Sequence, residues 1–262
     1  MQFIENQTFE MLKDRTAGLV FADMSFRSCF FDNCLLSKER LDGLRTEVCN
    51  VRLEECKLVG CNIGPALLSD AIVVNSTAND LTIFWGSLFR RVKFVGRVSA
   101  FKINKFVTSL PDAGMQAIYD NSRREFYKNA DWAIDISEAR FTSFDCEGIP
   151  ARLFRLDLET QCVVRRENVP ADWRTKFYDT NAWGPWVSHL LGTDDSDAVF
   201  PTHRCSKRAR QFATDAVSVV CARFRVTIKS RVFMLHDQNL TLISFFRALN
   251  FQCQQVGNIT KM

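Results

Sequence analysis

Several kinds of segment and motif are missing from this 262-residue sequence. It has no run of eighteen apolar residues, which argues against a membrane-spanning helix. Its first sixteen residues, MQFIENQTFEMLKDRT, contain acids and lack the apolar centre of a signal peptide, so we expect a cytoplasmic protein without membrane attachment. It also lacks a glycine-rich phosphate loop and a GxSxG motif, the usual marks of nucleotide-binding enzymes and many serine hydrolases.

Histidine is scarce, with only His189, His203 and His236. His203 and Cys205 alone stand at a spacing typical of metal ligands, and one such pair is weak evidence. Cysteine is plentiful, with ten residues, but none of them forms the close CxxC pair of a zinc knuckle. The sequence therefore predicts no metal, no cofactor and no catalytic residue.

A rule with a period of five is the strongest signal in the sequence. Between Leu19 and Leu36, apolar residues recur at alternating steps of two and three. A helix repeats at three and four and a strand at two, so neither explains this pattern. The pattern is typical of a chain that turns a corner every five residues. The positions are Leu19, Phe21, Met24, Phe26, Cys29, Phe31, Cys34 and Leu36.

The rule recurs in two further runs, which makes chance a poor explanation. The second run consists of Cys56, Leu58, Cys61, Ile63, Ala66, Leu68, Ala71 and Val73. The third run consists of Ile134, Ile136, Ala139, Phe141, Phe144, Cys146, Ile149, Ala151, Phe154 and Leu156. Between the first two runs, Glu39 and Thr46 break the rule, and we expect an outward loop at 37–43 and a register shift between Thr46 and Cys56.

Phrases such as Cys29-Phe30-Phe31, Cys34-Leu35-Leu36 and Cys61-Asn62-Ile63 resemble the pentapeptide-repeat family. The resemblance implies a mainly β fold, a right-handed four-sided β-helix with about twenty residues per coil and free cysteines inside. Coils would then hydrogen-bond at about 4.8 Å. Some members of that family mimic DNA with an acidic rod and bind topoisomerases. Residues 1–104 carry thirteen Lys and Arg against twelve Asp and Glu, which does not favour that role here.

Four segments follow from these patterns. We predict a β-helix over 1–108 whose residues 1–17 cap the open end, and a helical insertion over 109–130. Further coils and a hairpin are expected over 131–167, and a small α/β appendage over 168–262. For 149–158, a coil and a hairpin arm remain equally possible. The acidic stretch 193–197 is expected to be a solvated linker.

Two groups in the last third are candidates for partner binding. The aromatic group is Trp173, Tyr178, Trp183 and Trp186, and the basic group is Arg204, Lys207, Arg208 and Arg210. The aromatics could instead fill a core, and the basic group could be a solvated helix face. Residues 203–247 carry nine Lys and Arg against two Asp and Glu, so nucleic-acid binding is a further alternative.

The absence of an assembled catalytic group favours a non-catalytic protein-binding scaffold of the bacterial cytosol. A toxin-neutralising immunity protein is one such role. The alternatives are an effector or enzyme with a thiol in the second half, and a topoisomerase- or nucleic-acid-binding protein. The thiols outside the first coils include Cys146, Cys162, Cys205 and Cys253. The partner and the oligomeric state do not follow from the sequence.

Overall fold

A computed structural model describes residues 1–14, 18–37, 44–79, 82–107, 110, 114–157, 160–174 and 184–201. The chain divides into two compact units, Met1–Phe224 and Arg225–Met262. The second unit lies outside the described residues, as does the part of the predicted α/β appendage that follows Pro201.

Short strands dominate the first unit, together with two α-helices. The helices are α1 (Gly114–Lys128) and α2 (Gly184–Gly192), and 3-10 turns occupy Ala151–Leu153 and Arg166–Asn168. The strands are β1 (Gln2–Glu5), β2 (Thr8–Glu10), β3 (Val20–Arg27), β4 (Phe30–Asp32), β5 (Leu35–Leu36), β6 (Thr46–Glu54), β7 (Lys57–Val59), β8 (Asn62–Ile63), β9 (Ala66–Ser69), β10 (Ile72–Val74), β11 (Thr77–Ala78), β12 (Ile83–Trp85), β13 (Leu88–Arg90), β14 (Val92–Asn104), β15 (Ile134–Cys146), β16 (Phe154–Arg155), β17 (Gln161–Arg165) and β18 (Asp197–Pro201).

The fold is mainly β, as the sequence predicted, and strands β1 to β16 form one large curled parallel sheet of solenoid-like form. Pairing joins residues about twenty positions apart. Ile72, for example, pairs with Arg52 on one side and with Lys93 on the other. The pairing of Val92 with Ile134 spans a longer separation because α1 lies between β14 and β15. Strands β17 and β18 form a separate antiparallel pair.

Left-handed backbone conformations mark the corners of the chain. Asp23, Ser28 and Asn33 have φ values of 57°, 50° and 50°, and Asp70 and Asn75 have 52° and 46°. Short polar side chains are the non-glycine residues that tolerate this region best. Their spacing of five matches the five-residue rule. Ser28, Asn33, Asp70 and Asn75 each lie between two consecutive short strands, whereas Asp23 lies within β3.

Equivalent positions of the repeat lie opposite one another in neighbouring strands. Phe31 pairs with Phe9 on one side and with Leu58 on the other. Cys29 and Cys56 are each 2% exposed, whereas Phe31 and Leu58 are half-buried. The thiols contact backbone carbonyls of the preceding coil, as in the 3.5 Å contact from Cys56 Sγ to Phe26 O. All seven described cysteines are free, as expected.

A large apolar core fills the later coils between β9 and the 3-10 turn at Ala151–Leu153. Its fully or nearly fully buried members include Phe89, Val92, Phe94, Val98, Phe101, Ile103, Ile134, Ile136, Phe141, Phe144 and Leu153. Most of these residues belong to the repeat positions or to the phenylalanine- and valine-rich stretch after residue 84. The predicted continuation of strands through this stretch is therefore confirmed by β13 and β14.

The register shift was predicted in the wrong place. Thr46 is fully buried, and Val48 pairs with Leu68, so both already occupy repeat positions of the second run. From Thr46 to Cys56 the steps of two and three are unbroken. The shift therefore falls before Thr46. Paired residues of β3 and β6, such as Val20 and Glu47, are separated by seven more positions than the pair Arg52 and Ile72. Thr46 occupies a repeat position although it is polar, so an apolar pattern does not include it.

The structure chooses between the two interpretations of 149–158. Phe154 pairs in parallel with Ile134, twenty positions earlier, so this stretch continues the sheet. The predicted hairpin is wrong, because β17 pairs with β18, a strand more than thirty residues later. The predicted helical insertion over 109–130 is present as α1, in which Tyr119 and Tyr127 are buried and Ile118 is 48% exposed.

Candidate functional site

The first coil and the start of β3 carry the most exposed apolar side chains among the described residues. Residues 2–10, expected to cap the sheet, form its outermost strands: β1 pairs only with β3, and β2 only with β4. We call the following set the apolar edge. It consists of Met1, Phe3, Met11, Leu12 and Val20, which are 54–73% exposed. Four other large apolar side chains in the described part of the chain are exposed, by 38–52%.

The apolar edge combines two features that favour contact with another protein. Nothing among the described residues pairs with the outer side of β1 or β2, so their outward backbone groups are open to a further strand. Exposed apolar side chains flank these strands, and apolar patches on a folded surface often mark binding sites.

A second feature lies where β15 ends, beside α2. His189 Nε2 is 3.1 Å from Asp145 Oδ1 and 3.1 Å from Glu147 Oε1. We call these three residues the His189 cluster. Asp145 and Glu147 are two positions apart on an extended chain, so their side chains point to the same side, and Cys146 between them points to the other.

The backbone around the His189 cluster is held by hydrogen bonds. Glu147 N donates to Ile103 O over 3.1 Å, which extends the pairing of β15 with β14 by one residue. Arg166 holds the end of α2, because its guanidinium donates to the carbonyl oxygens of Leu190 and Leu191 at 2.7 and 3.2 Å. Cations that bind the last carbonyls of a helix stabilise that end.

The acidic stretch 193–197 is packed against this region, so its interpretation as a solvated linker was wrong. Lys105 is almost fully buried and forms ion pairs with Asp194 and Asp195. Asp195 Oδ2 also accepts from Gly148 N at 3.0 Å, and Asp197 Oδ1 accepts from Ala151 N at 2.9 Å. These side chains satisfy backbone groups of the turn after β15, which composition alone did not reveal.

Electrostatics in the His189 cluster favour the charged forms. Hydrogen bonds with Asp145 and then Glu147 raise the pKa of His189 from 6.5 to about 10. Burial alone would raise the pKa of Asp145, but the hydrogen bond and charge of His189, together with Lys102, lower it on balance. Lys102 Nζ lies 3.5 Å from Asp145 Oδ2. Glu147 Oε2 is buried and has no hydrogen-bond partner among the described residues.

The predicted aromatic group is only partly described. Trp173 is 8% exposed and packs with Val187 and Phe200, so in this region it contributes to a small core. The Arg174 guanidinium lies 5.4 Å from the centre of its ring. Trp186 lies in α2, but its side chain is not described. The other predicted residues, Tyr178, Trp183, Arg204, Lys207, Arg208 and Arg210, lie outside the described residues.

Two of the thiols considered as nucleophiles are described, and their surroundings disfavour the thiolate. Burial raises the pKa of Cys162 to about 12. Burial also raises the pKa of Cys146 well above its usual value, and the charges of Asp195, Asp145 and Glu147 act in the same direction. Both thiols are therefore protonated near neutral pH and are weak nucleophiles. Cys205 and Cys253 lie outside the described residues.

Comparison with known proteins adds no relative. No family model matches this chain, and no curated protein matches it. Functional conclusions therefore rest on the residues themselves. In the described residues, neither helix is both long and apolar enough to cross a membrane.

Little in the sequence predicts the His189 cluster. Asp145 and Glu147 flank Cys146, which is a repeat position in the middle of the third run. His189 follows more than forty residues later and has no neighbouring ligand in the sequence. The only available signal was an Asp-x-Glu pair at a strand end, a pattern too common to single out.

Proposed function

We propose that this chain is a non-catalytic protein-binding scaffold of the bacterial cytoplasm. We further propose that its curled parallel sheet is a right-handed four-sided β-helix of the pentapeptide-repeat type. Two observations support this fold. Paired residues are about twenty positions apart, and left-handed residues recur at intervals of five, as at Asp23, Ser28 and Asn33. A crystal structure with a left-handed winding, or with three sides in each coil, would rule it out.

The observation that carries the binding role is the apolar edge. Phe3 is 73% exposed and Val20 is 66% exposed, although both lie in or beside paired strands. An extended segment of another protein can add to an open strand through backbone hydrogen bonds, while neighbouring apolar side chains supply buried area. Burial of one large apolar side chain contributes about 1.5–3 kcal/mol.

The role as a toxin-neutralising immunity protein is a narrower form of this proposal. Its support is architectural: a rigid repeat body with an open edge and, among the described thiols of the second half, no activated nucleophile. A single dedicated partner encoded beside this chain, whose toxicity the chain suppresses, would support it. A partner without toxicity would exclude this form and leave the scaffold role intact.

Matched double variants test the binding role. Phe3→Ser with Val20→Ser alters the apolar edge, and Phe106→Ser with Ile118→Ser alters two exposed apolar residues elsewhere. Tagged wild-type and variant proteins are used to capture partners from native host cells, and the captured protein is then purified for titration. We expect the edge variant to weaken binding at least about tenfold, since 1.4 kcal/mol corresponds to a factor of ten.

The control variant separates edge contacts from a general loss of surface hydrophobicity, and it should bind as tightly as the wild type. If the edge variant bound the partner as tightly as the wild type, the apolar edge would not be the binding surface. Failure of the wild type to retain any specific partner would contradict the scaffold role itself. Sedimentation of the purified chain distinguishes a second copy from a foreign partner at this edge.

A further inference from the structure

The His189 cluster has the donor set of a metal site. It offers one imidazole nitrogen and carboxylate oxygens from two acids, all within 4.8 Å of one another. At zinc–ligand distances, neighbouring donor atoms are about 2.9–3.4 Å apart. His189 Nε2 is 3.1 Å from the nearer oxygen of each acid, which falls inside that range.

Glu147 supplies an independent observation. Its side chain is only 12% exposed, and its Oε2 atom is buried without a hydrogen-bond partner in the described part of the chain. A buried carboxylate oxygen without a partner is costly and calls for an unseen water or ion. A cation beside Glu147 would satisfy this oxygen, and a carboxylate can bind a metal through both of its oxygens.

The supporting elements hold the donors in place. Glu147 continues the pairing of β15, and Arg166 fixes the end of α2 that carries His189. Lys102 contacts Asp145 through Oδ2, which orients Oδ1 toward His189. Metal sites on strands and helices with supporting hydrogen bonds keep their geometry better than sites on isolated loops.

We propose that Asp145, Glu147 and His189 bind one divalent transition-metal ion, such as zinc, with His189 Nε2 and both carboxylates as ligands. An imidazole among the donors favours zinc and its neighbours over calcium and magnesium. The ion takes the place of the proton that Nε2 directs at the two carboxylates, and that proton passes to solvent. His189 is 45% exposed, so a water molecule or a ligand from a partner can complete the coordination.

Titration of the full-length chain with Co²⁺ after chelator treatment tests this site. Absorption spectra distinguish the ligands, because thiolate ligands give an intense near-ultraviolet band that nitrogen and oxygen ligands do not. This distinction matters in a chain with ten cysteines. We expect one equivalent of Co²⁺ to bind without the thiolate band and to be displaced by Zn²⁺. Absence of binding, or a site with the thiolate band only, would overturn the proposal.

Variants assign the site to these residues. His189→Ala and Glu147→Gln should each weaken the affinity at least about tenfold. Glu138→Gln is the control, because Glu138 also lies on β15 but is exposed and pairs with Lys93. Circular dichroism of each metal-free variant checks that it folds, and Glu147→Gln preserves shape if His189→Ala does not fold. Unchanged affinity in a folded variant would refute the assignment. The result is independent of the apolar edge, which lies on the first coil.

Discussion

The early coils, from β1 to β8, and the later coils, from β9 to β16, follow the same five-residue rule but bury their side chains to different extents. In the early coils, the thiols of Cys29, Cys56 and Cys61 are buried, whereas the rings of Phe9 and Phe31 remain half-exposed. In the later coils, Phe89, Phe94, Phe101 and Phe144 are all at most 5% exposed. Position in the repeat therefore sets the direction of a side chain, but not how completely it is covered.

The difference arises from what covers each region. Among the later strands, β14 and β15 have neighbours on both sides, and this region is also contacted by α1, where Phe89 N donates to the Tyr127 hydroxyl oxygen over 3.1 Å. The first coil has a neighbour on one side only among the described residues. Stability is thus concentrated in the later coils, and the exposed apolar side chains remain at the other end, where the proposed binding surface lies.

Truncation of a matched phenylalanine pair should show the largest effect. Phe89→Ala removes a fully buried ring that contacts Phe84 and Phe101, and we expect a loss of about 3–5 kcal/mol. Phe31→Ala removes a half-buried ring, so about half that loss is expected. Urea unfolding of both variants gives the two free energies. Equal losses of unfolding free energy would mean that Phe31 contributes as much to stability as Phe89 despite its greater exposure.

Glycine-to-alanine substitutions test the same comparison between early and later coils, and the expected losses of stability are smaller. Gly18 in the first coil and Gly96 in β14 have φ values of 78° and 73°, so an alanine is strained at both positions. At Gly18 the nearest atom to an added Cβ is Leu44 Cδ1, 3.9 Å away, whereas at Gly96 it would overlap Asn75 Oδ1. We expect Gly18→Ala to cost about 1 kcal/mol and Gly96→Ala about 2–3 kcal/mol.

Thermal unfolding of the two glycine variants measures this difference. Asn75 Oδ1 accepts from Arg97 N, so the overlap at Gly96 also disturbs this hydrogen bond between a side chain and the backbone of the neighbouring coil. A larger loss for Gly18→Ala would indicate that the first coil is packed more tightly than its exposure shows.

The His189 cluster should make the stability of the later coils depend on pH. The pKa of His189 is about 10 in the folded chain and 6.5 ordinarily, so its ion pairs stabilise fully below pH 6.5 and lose this effect between pH 6.5 and 10. Because His189 is partly exposed, the gain is at most about 1 kcal/mol. The pKa of Asp145 is lowered, so its contribution is lost as the solution is acidified below the ordinary value of 3.8.

Unfolding of metal-free wild-type protein and His189→Ala at pH 6, 8 and 10 checks this dependence (pH values chosen to bracket the titration of His189). The difference in stability should be largest at pH 6 and should shrink toward pH 10. A difference that grows with pH would show that the imidazole is neutral in the folded chain.

The smallest effect is expected at the apolar edge. Phe3→Ser alters a side chain that is 73% exposed, so we expect a change in unfolding free energy within about 0.5 kcal/mol. The double variant that is designed to weaken partner binding contains this substitution, so the stability measurement is a necessary control. A loss of several kcal/mol would mean that Phe3 is buried and that the edge is covered.

Much of the fold was predictable because the repeat places inward side chains at regular intervals of two and three residues. Phe26, Phe31 and Cys56 could be assigned to inward positions from spacing alone, and a helix was predicted over 109–130, where α1 lies. Thr46 could not be placed, because a buried polar residue breaks an apolar pattern without breaking the backbone. The partner of β17 was missed because its complement, β18, lies across α2, and pairing between distant segments leaves no local mark.

By itself, the sequence determined where the chain turns and which side chains point inward, since corners and strand alternation are properties of a few neighbouring residues. The tertiary structure alone decided which coils are fully covered and which long-range groups meet. Asp145, Glu147 and His189 become a cluster only because β15 and α2 pack together, and Phe3 becomes exposed only because no described coil lies beyond β1. Contacts between segments far apart in the chain depend on the packing of the whole sheet, which no short stretch of sequence encodes.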